Sequence, residues 1–145
     1  MMKNILVMHG PNLNILGQRE PETYGHVTLE DINSELKKKA EQFKINITCF
    51  QSNHEGEIVD KLQKSFTKID GLIINPAAYT HTSVAIRDAV LLLDIPTIEV
   101  HISNIYKRES FRHNSYLSDI VTGQIAGVGV IGYYLALEAL NEIID

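Results

Sequence analysis

Glu99 and His101 stand two residues apart where Thr97–Val100 runs into His101-Ile102-Ser103-Asn104. In an extended segment, residues i and i+2 leave the same face, so a carboxylate and an imidazole would lie side by side. Such a carboxylate fixes the tautomer of the ring and favours its protonated form, which suits a general acid. A strand histidine is as readily structural, and the pair taken alone leaves both readings open. Farther on, Lys107, Arg108, Arg112 and His113 form a basic loop able to hold a carboxylated or hydroxylated ligand. A second cluster, residues 75–83, offers Asn75 and His81 beside free backbone N–H groups at a helix start, a place suited to anions. Thr82 or Ser83 would cap that helix whether or not a ligand binds there. A third, residues 9–14, is His-Gly-Pro-Asn-Leu-Asn and includes Asn12. It opens the long segment Gly10–Gly25, in which Gly17 and Gly25 bracket one arginine, Arg19, and one tyrosine, Tyr24. Loops of this length are commonly lids or binding segments, although a surface loop with a solvated Arg19 is the simpler reading of these residues alone.

These clusters need elements to bring them together. Apolar runs at Ile5–Met8, Leu72–Ile74 and Thr97–Val100 read as buried strands, and each ends in one of the polar clusters. In an open parallel sheet all carboxyl ends share one edge, and ligands bind in the crevice there. A further strand is expected at Ile45–Phe50 and a short fifth one at Gly123–Gly129. Between them, Leu29, Ile32, Leu36, Ala40 and Phe43 follow helical spacing behind Thr28, with Asp31 completing a capping-box variant. Ile58, Val59, Leu62 and Phe66 mark a second helix, and an amphipathic helix closes the chain to Ile144. The helix near Ser83–Leu93 is apolar around most of its circumference, which predicts cover on nearly all sides and, in so small a domain, a second subunit. The expected fold is α/β: a flavodoxin-like, doubly wound, five-stranded parallel sheet with helices on both faces.

At 145 residues the chain reads as one domain, 1–145, with a hydrophobic fraction of 44% and a charged fraction of 21%, ordinary for a globular protein. A formal charge of −5 argues against nonspecific nucleic-acid binding. No apolar stretch has the length of a membrane span and no secretion signal opens the sequence, so a cytoplasmic location without membrane contact is expected. Cys49, inside an alternating run, reads as a buried reduced thiol. Gly127-Val-Gly-Val-Ile-Gly132 has the spacing of a dinucleotide fingerprint, but no second strand of a βαβ unit can follow it. Close strand–helix packing is the better reading of those glycines. None of the six histidines shows metal-ligand spacing, so neither metal nor cofactor is expected.

Four stretches, HGPNLNILGQREPETYG, QSNHEGEIVDKL, NPAAYTHTSVAIRDA and EVHISNIYKRESFRHNSY, spread from residue 9 to residue 116, together resemble type II 3-dehydroquinate dehydratases. The resemblance implies anti elimination of water from 3-dehydroquinate through an enolate, giving 3-dehydroshikimate, the third step of the shikimate pathway, without metal or organic cofactor. It implies Tyr24 as the base, present as tyrosinate, and Arg19 as the cation that activates it with help from Arg108. A free tyrosine has a pKa of about 10, so bringing it to roughly 7–8 asks for about 3–4 kcal/mol of differential stabilisation. Guanidinium groups in a water-excluding lid can supply that, and arginine stays charged when desolvated. By the same resemblance Asn12 positions a water against the enolate oxygen, His101 is the general acid and Glu99 orients it. Asn75, the backbone of Ile102 and Ser103, and the Ser103 hydroxyl form the carboxylate pocket, while His81 and Arg112 bind hydroxyls. Asp88 on the apolar helix reaches a neighbouring subunit's site, and the assembly is a dodecamer of trimers. Asn114, often a second histidine in relatives, and His9, which varies among them, stand outside this mechanism.

The rival from another class is a flavodoxin-like module binding a flavin or a nucleotide phosphate. It calls for a Ser/Thr/Gly-rich loop after the first strand, where this chain has Pro11, two asparagines, Arg19 and Tyr24. A receiver-type signalling domain would need clustered acids there. An inactive scaffold would have lost Arg19, Tyr24 or His101, and all three are present.

Overall fold

The computed structural model describes residues 2–18, 22 and 25–144. Five strands, β1 (Lys3–His9), β2 (Ile45–Gln51), β3 (Gly71–Asn75), β4 (Thr97–His101) and β5 (Gly123–Ala126), form one sheet in the order β2-β1-β3-β4-β5. Every adjacent pair is parallel. This is the doubly wound order expected from the sequence, with its switch between β1 and β3.

Strand periodicity sorts the core into two layers. Ile5 and Val7 of β1, Ile73 of β3, and Ile98 and Val100 of β4 pack with α1 (Leu29–Gln42) and α4 (Ile131–Ile143). Leu6 and Met8, with Leu72 and Ile74, face α2 (Glu55–Lys64) and α3 (Val84–Leu93) on the other side. Being covered on both faces, the central strands are continuous apolar runs rather than alternating ones.

The helix boundaries follow local chemistry. Thr28 Oγ1 accepts the Asp31 N–H at 3.1 Å and the Asp31 carboxylate accepts the Thr28 N–H at 3.0 Å, so the capping box forms in full. Ser83, rather than Thr82, caps α3 by accepting the Ile86 N–H at 2.9 Å. α2 stops at Lys64, leaving Phe66 beyond it and exposed. β5 is shorter than the expected Gly123–Gly129, because Gly127 turns to φ +89° and donates its N–H to the His101 carbonyl at 3.1 Å. Within the glycine-rich stretch, a Cβ on Gly127 would meet Asn104 at 2.8 Å and one on Gly132 would touch Ile125 and Val100, in keeping with the packing reading.

Within one chain, α3 is covered on one side only. Ile86, Ala89, Val90 and Leu93 are buried, whereas Val84, Leu91 and Leu92 are 54%, 51% and 48% exposed. No helix among the described residues is long and apolar enough to cross a membrane.

Candidate active site

The carboxyl ends of β1, β3 and β4 open into a cavity of about 190 Å³. Asn12 comes from the loop after β1, Asn75 ends β3, and His81 ends the 3-10 turn Ala77–His81 that follows. His101 ends β4, and Ile102, Ser103, Arg108 and Arg112 come from the segment beyond it. Eight of the twelve expected residues thus meet around one space. Glu99 stands directly behind His101. Asp88 is exposed on α3, away from the cavity of its own chain, and Arg19 and Tyr24 lie outside the described residues.

Alternation along β4 sends Glu99 and His101 to the same face, and the expected pair forms: His101 Nε2 is 2.5 Å from Glu99 Oε2. Glu99 is wholly buried. Its Oε2 also accepts from Thr80 Oγ1 at 2.8 Å and Ser115 Oγ at 2.7 Å, and its Oε1 from Ser118 Oγ at 3.0 Å. Burial alone would raise this carboxyl's pKa, yet the hydrogen bonds and the neighbouring imidazole outweigh it and hold the pKa down to about 2. Glu99 is therefore a carboxylate at neutral pH, and it engages His101 through Nε2, so that Nδ1 is the ring nitrogen directed elsewhere.

The His81 ring stacks near that of His101, with centroids 6.5 Å apart, and its Nδ1 is 2.8 Å from the Asn114 carbonyl. Partial burial lowers its pKa, against that hydrogen bond. Arg112 Nε donates to Glu109 at 2.9 Å, Arg108 Nε is 3.9 Å from the same carboxylate, and Arg108 Nη1 is 3.5 Å from Ser103 Oγ. The cavity therefore combines two guanidinium groups, two imidazoles, two amides and a hydroxyl. That set suits an anionic, hydroxylated molecule that needs a proton delivered to it.

The family model described as Dehydroquinase class II matches residues 3–141 of the chain. The chain belongs to the class II dehydroquinases. A curated relative from Endomicrobium trichonymphae, named 3-dehydroquinate dehydratase, is 58% identical over 98% of this chain and 99% of its own length. Another of that name, from Acaryochloris marina, is 59% identical over 94% of this chain and 92% of its own. Among solved structures, a type II dehydroquinase from Butyrivibrio crossotus superposes with a TM-score of 0.94 at 46% identity, covering 97% of this chain and 98% of that one. The resemblance read from four stretches of sequence is borne out, and this family membership takes the place of the flavin-binding alternative.

Several residues shaping this dehydroquinase site escaped the sequence reading. Asn12 has φ +70°, a left-handed conformation that asparagine tolerates, and its N–H donates to Asn53 Oδ1 at 2.9 Å. Gln51 Nε2 donates to that same oxygen at 3.1 Å and to the Gly10 carbonyl at 3.1 Å, so β2 braces the loop that carries Asn12. Thr80, Ser115 and Ser118, the donors around Glu99, come from two separate loops. The one signal for them was indirect: a buried ionised carboxylate demands several donors, and serine and threonine hydroxyls can each supply one. Asn75 is anchored as well, with Oδ1 accepting the Ala77 N–H at 3.1 Å and Nδ2 donating to the Tyr133 hydroxyl at 3.0 Å. That hydroxyl lies 3.0 Å from His9 Nδ1, which ties His9 to the site after all. Among the described residues no group of three or more His, Cys, Asp or Glu side chains is arranged to hold a metal ion.

Proposed function

We propose that this chain is a 3-dehydroquinate dehydratase, a hydro-lyase that removes water from 3-dehydroquinate in the anti sense to give 3-dehydroshikimate, in the shikimate route to aromatic amino acids. The observation that carries the reading is the buried Glu99–His101 pair opening onto a cavity rimmed by Arg108, Arg112 and His81. A leaving hydroxide needs a proton. An imidazolium whose Nε2–H is held by a fixed carboxylate can deliver one from Nδ1 without losing its orientation.

In this mechanism Tyr24, held ionised by Arg19 with help from Arg108, takes the proton α to the ketone. The C–H electron pair moves into an enolate, whose oxygen is stabilised by a water held by Asn12. Collapse of the enolate expels the hydroxyl, which His101 protonates to water, with Glu99 keeping the ring in place. The base then returns its proton to solvent and His101 regains one, so no redox partner is required. Asn75, the Ile102 and Ser103 backbone and the Ser103 hydroxyl hold the substrate carboxylate, and His81 and Arg112 hold its hydroxyls. Residues 1–145 act as one cytoplasmic catalytic domain that works without metal or organic cofactor.

The same reading makes the enzyme a homo-oligomer, a dodecamer of trimers. Val84, Asp88, Leu91 and Leu92 follow i, i+4, i+7, i+8 spacing along the exposed side of α3, so the apolar stripe in need of cover also carries Asp88. A subunit docking there would receive Asp88 at its own site.

Ultraviolet detection of the conjugated enone formed from 3-dehydroquinate tests the activity directly. Absence of that product from active-site-titrated, folded protein would defeat the proposal.

A further inference from the structure

His9 and Asn75 are register partners on the adjacent strands β1 and β3. Both side chains leave the sheet on the face packed by α1 and α4, and the Tyr133 hydroxyl of α4 stands between them, 3.0 Å from each. His9 and Tyr133 are fully buried and Asn75 nearly so. One fixed point determines the direction of every proton in this chain. The Ala77 backbone N–H can only donate, so the Asn75 atom it faces is Oδ1 and the opposite end of the amide is the NH2. That NH2 donates to the Tyr133 oxygen, which turns the phenol proton toward His9 Nδ1. His9 then carries its single proton on Nε2 and donates it to Asn33 Oδ1 at 2.8 Å. Burial keeps His9 neutral, with its pKa lowered to about 4, and keeps the Tyr133 phenol protonated. Reversing one link would set two donors or two acceptors against each other in a buried site, an arrangement with no compensation.

We propose that Tyr133, oriented by His9, is a positioning residue that locks the Asn75 amide so that its second N–H faces the cavity as a donor to the substrate carboxylate. With the amide rotated by half a turn, the Asn75 carbonyl would face that carboxylate and repel it. Asn75 is held from both ends: the Ala77 N–H selects the end that carries the carbonyl, and the Tyr133 hydroxyl, one layer behind on α4, secures the NH2 end in that orientation. The inference rests on the assignment of Asn75 to the carboxylate pocket under Proposed function.

Tyr133→Phe removes the hydroxyl and keeps the ring. In the enone assay the variant is expected to raise KM about tenfold, the equivalent of one ordinary hydrogen bond, with kcat little changed. Introduced into an Asn75→Ala background, the same substitution should cost nothing further, because its effect passes through Asn75. An equal loss in both backgrounds, or an unchanged KM in the first, would overturn the proposal. The tautomer provides a measurement that needs neither substrate nor variant: ¹⁵N spectra of the unaltered protein at neutral pH should show His9 protonated at Nε2 alone. The opposite tautomer or a charged ring would break the chain even if Tyr133→Phe failed to fold. Lack of turnover by the unaltered protein would instead defeat the functional reading, and the His9 tautomer separates that failure from this one.

Discussion

Glu99 shows how a single side chain can be costly and indispensable at once. A carboxylate with no exposure is destabilising unless its lone pairs are filled, and here four donors fill them. Glu99→Gln keeps the shape but brings an NH2 among groups that can only donate or that must turn round to accept. Turnover is expected to fall by about 10²–10⁴-fold, the scale of losing a general acid, while the circular-dichroism spectrum stays close to that of the parent. The proposed division of labour between base and acid makes two further residue-level expectations. Tyr24→Phe should nearly abolish dehydration with little change in substrate affinity by calorimetry; a near-normal rate would remove the phenol from the base role. His101→Ala should spare exchange of the α-proton with deuterated solvent more than it spares loss of water, since the acid acts after the enolate has formed. Parallel loss of both reactions would count against that order.

At the scale of elements, the legible parts were the local ones. Thr28 and Asp31 predict a helix start because the capping box is closed by atoms three residues apart, and it forms as read. The parallel sheet was legible because strands covered on both faces must be apolar throughout, and the site edge because polar clusters follow those strands. What stayed hidden depends on residues distant in sequence meeting in space. Tyr133 reads as one more large side chain on the core face of α4, and only the register of β1 against β3 turns its hydroxyl into a link between His9 and Asn75. The end of β5 at Ala126 likewise depends on the positive φ of Gly127, which the glycine permits but does not announce. α3 falls between these cases. Its composition indicated more apolar surface than one chain covers and pointed to a second subunit, while which residues are left for that subunit emerges only from the fold. Leu91→Glu places a charge on the stripe of Val84, Leu91 and Leu92, at a position half exposed in its own subunit. If that stripe is the proposed interface, light scattering should show a smaller assembly, and an unchanged mass would exclude it.

For the whole molecule, the same buried groups set the response to acid. Burial lowers the His9 pKa to about 4, against about 6.5 for a free histidine. Between those values the unfolded chain binds a proton that the folded chain refuses, so folding stability is complete above about pH 6.5 and is lost as pH falls toward 4. The difference corresponds to about 3 kcal/mol. Glu99 acts in the next window. Its folded pKa of about 2 lies below the ordinary carboxylate value, so its contribution is present above about pH 4.5 and lost as pH falls through 2. His81 shifts in the same direction as His9 but is partly exposed, and its contribution is correspondingly smaller. Against a typical domain stability of about 5–15 kcal/mol, losing the first contribution weakens the fold and losing both can unfold it. Urea midpoints measured from pH 7 to pH 4 should therefore fall steadily in the parent protein. In His9→Asn, whatever its starting stability, the fall between pH 6.5 and 4.5 should be much shallower, because the group that titrates there is gone. An undiminished slope in that variant would show that protons taken up elsewhere drive the acid transition, and that His9 is not held neutral by its place between Tyr133 and Asn33.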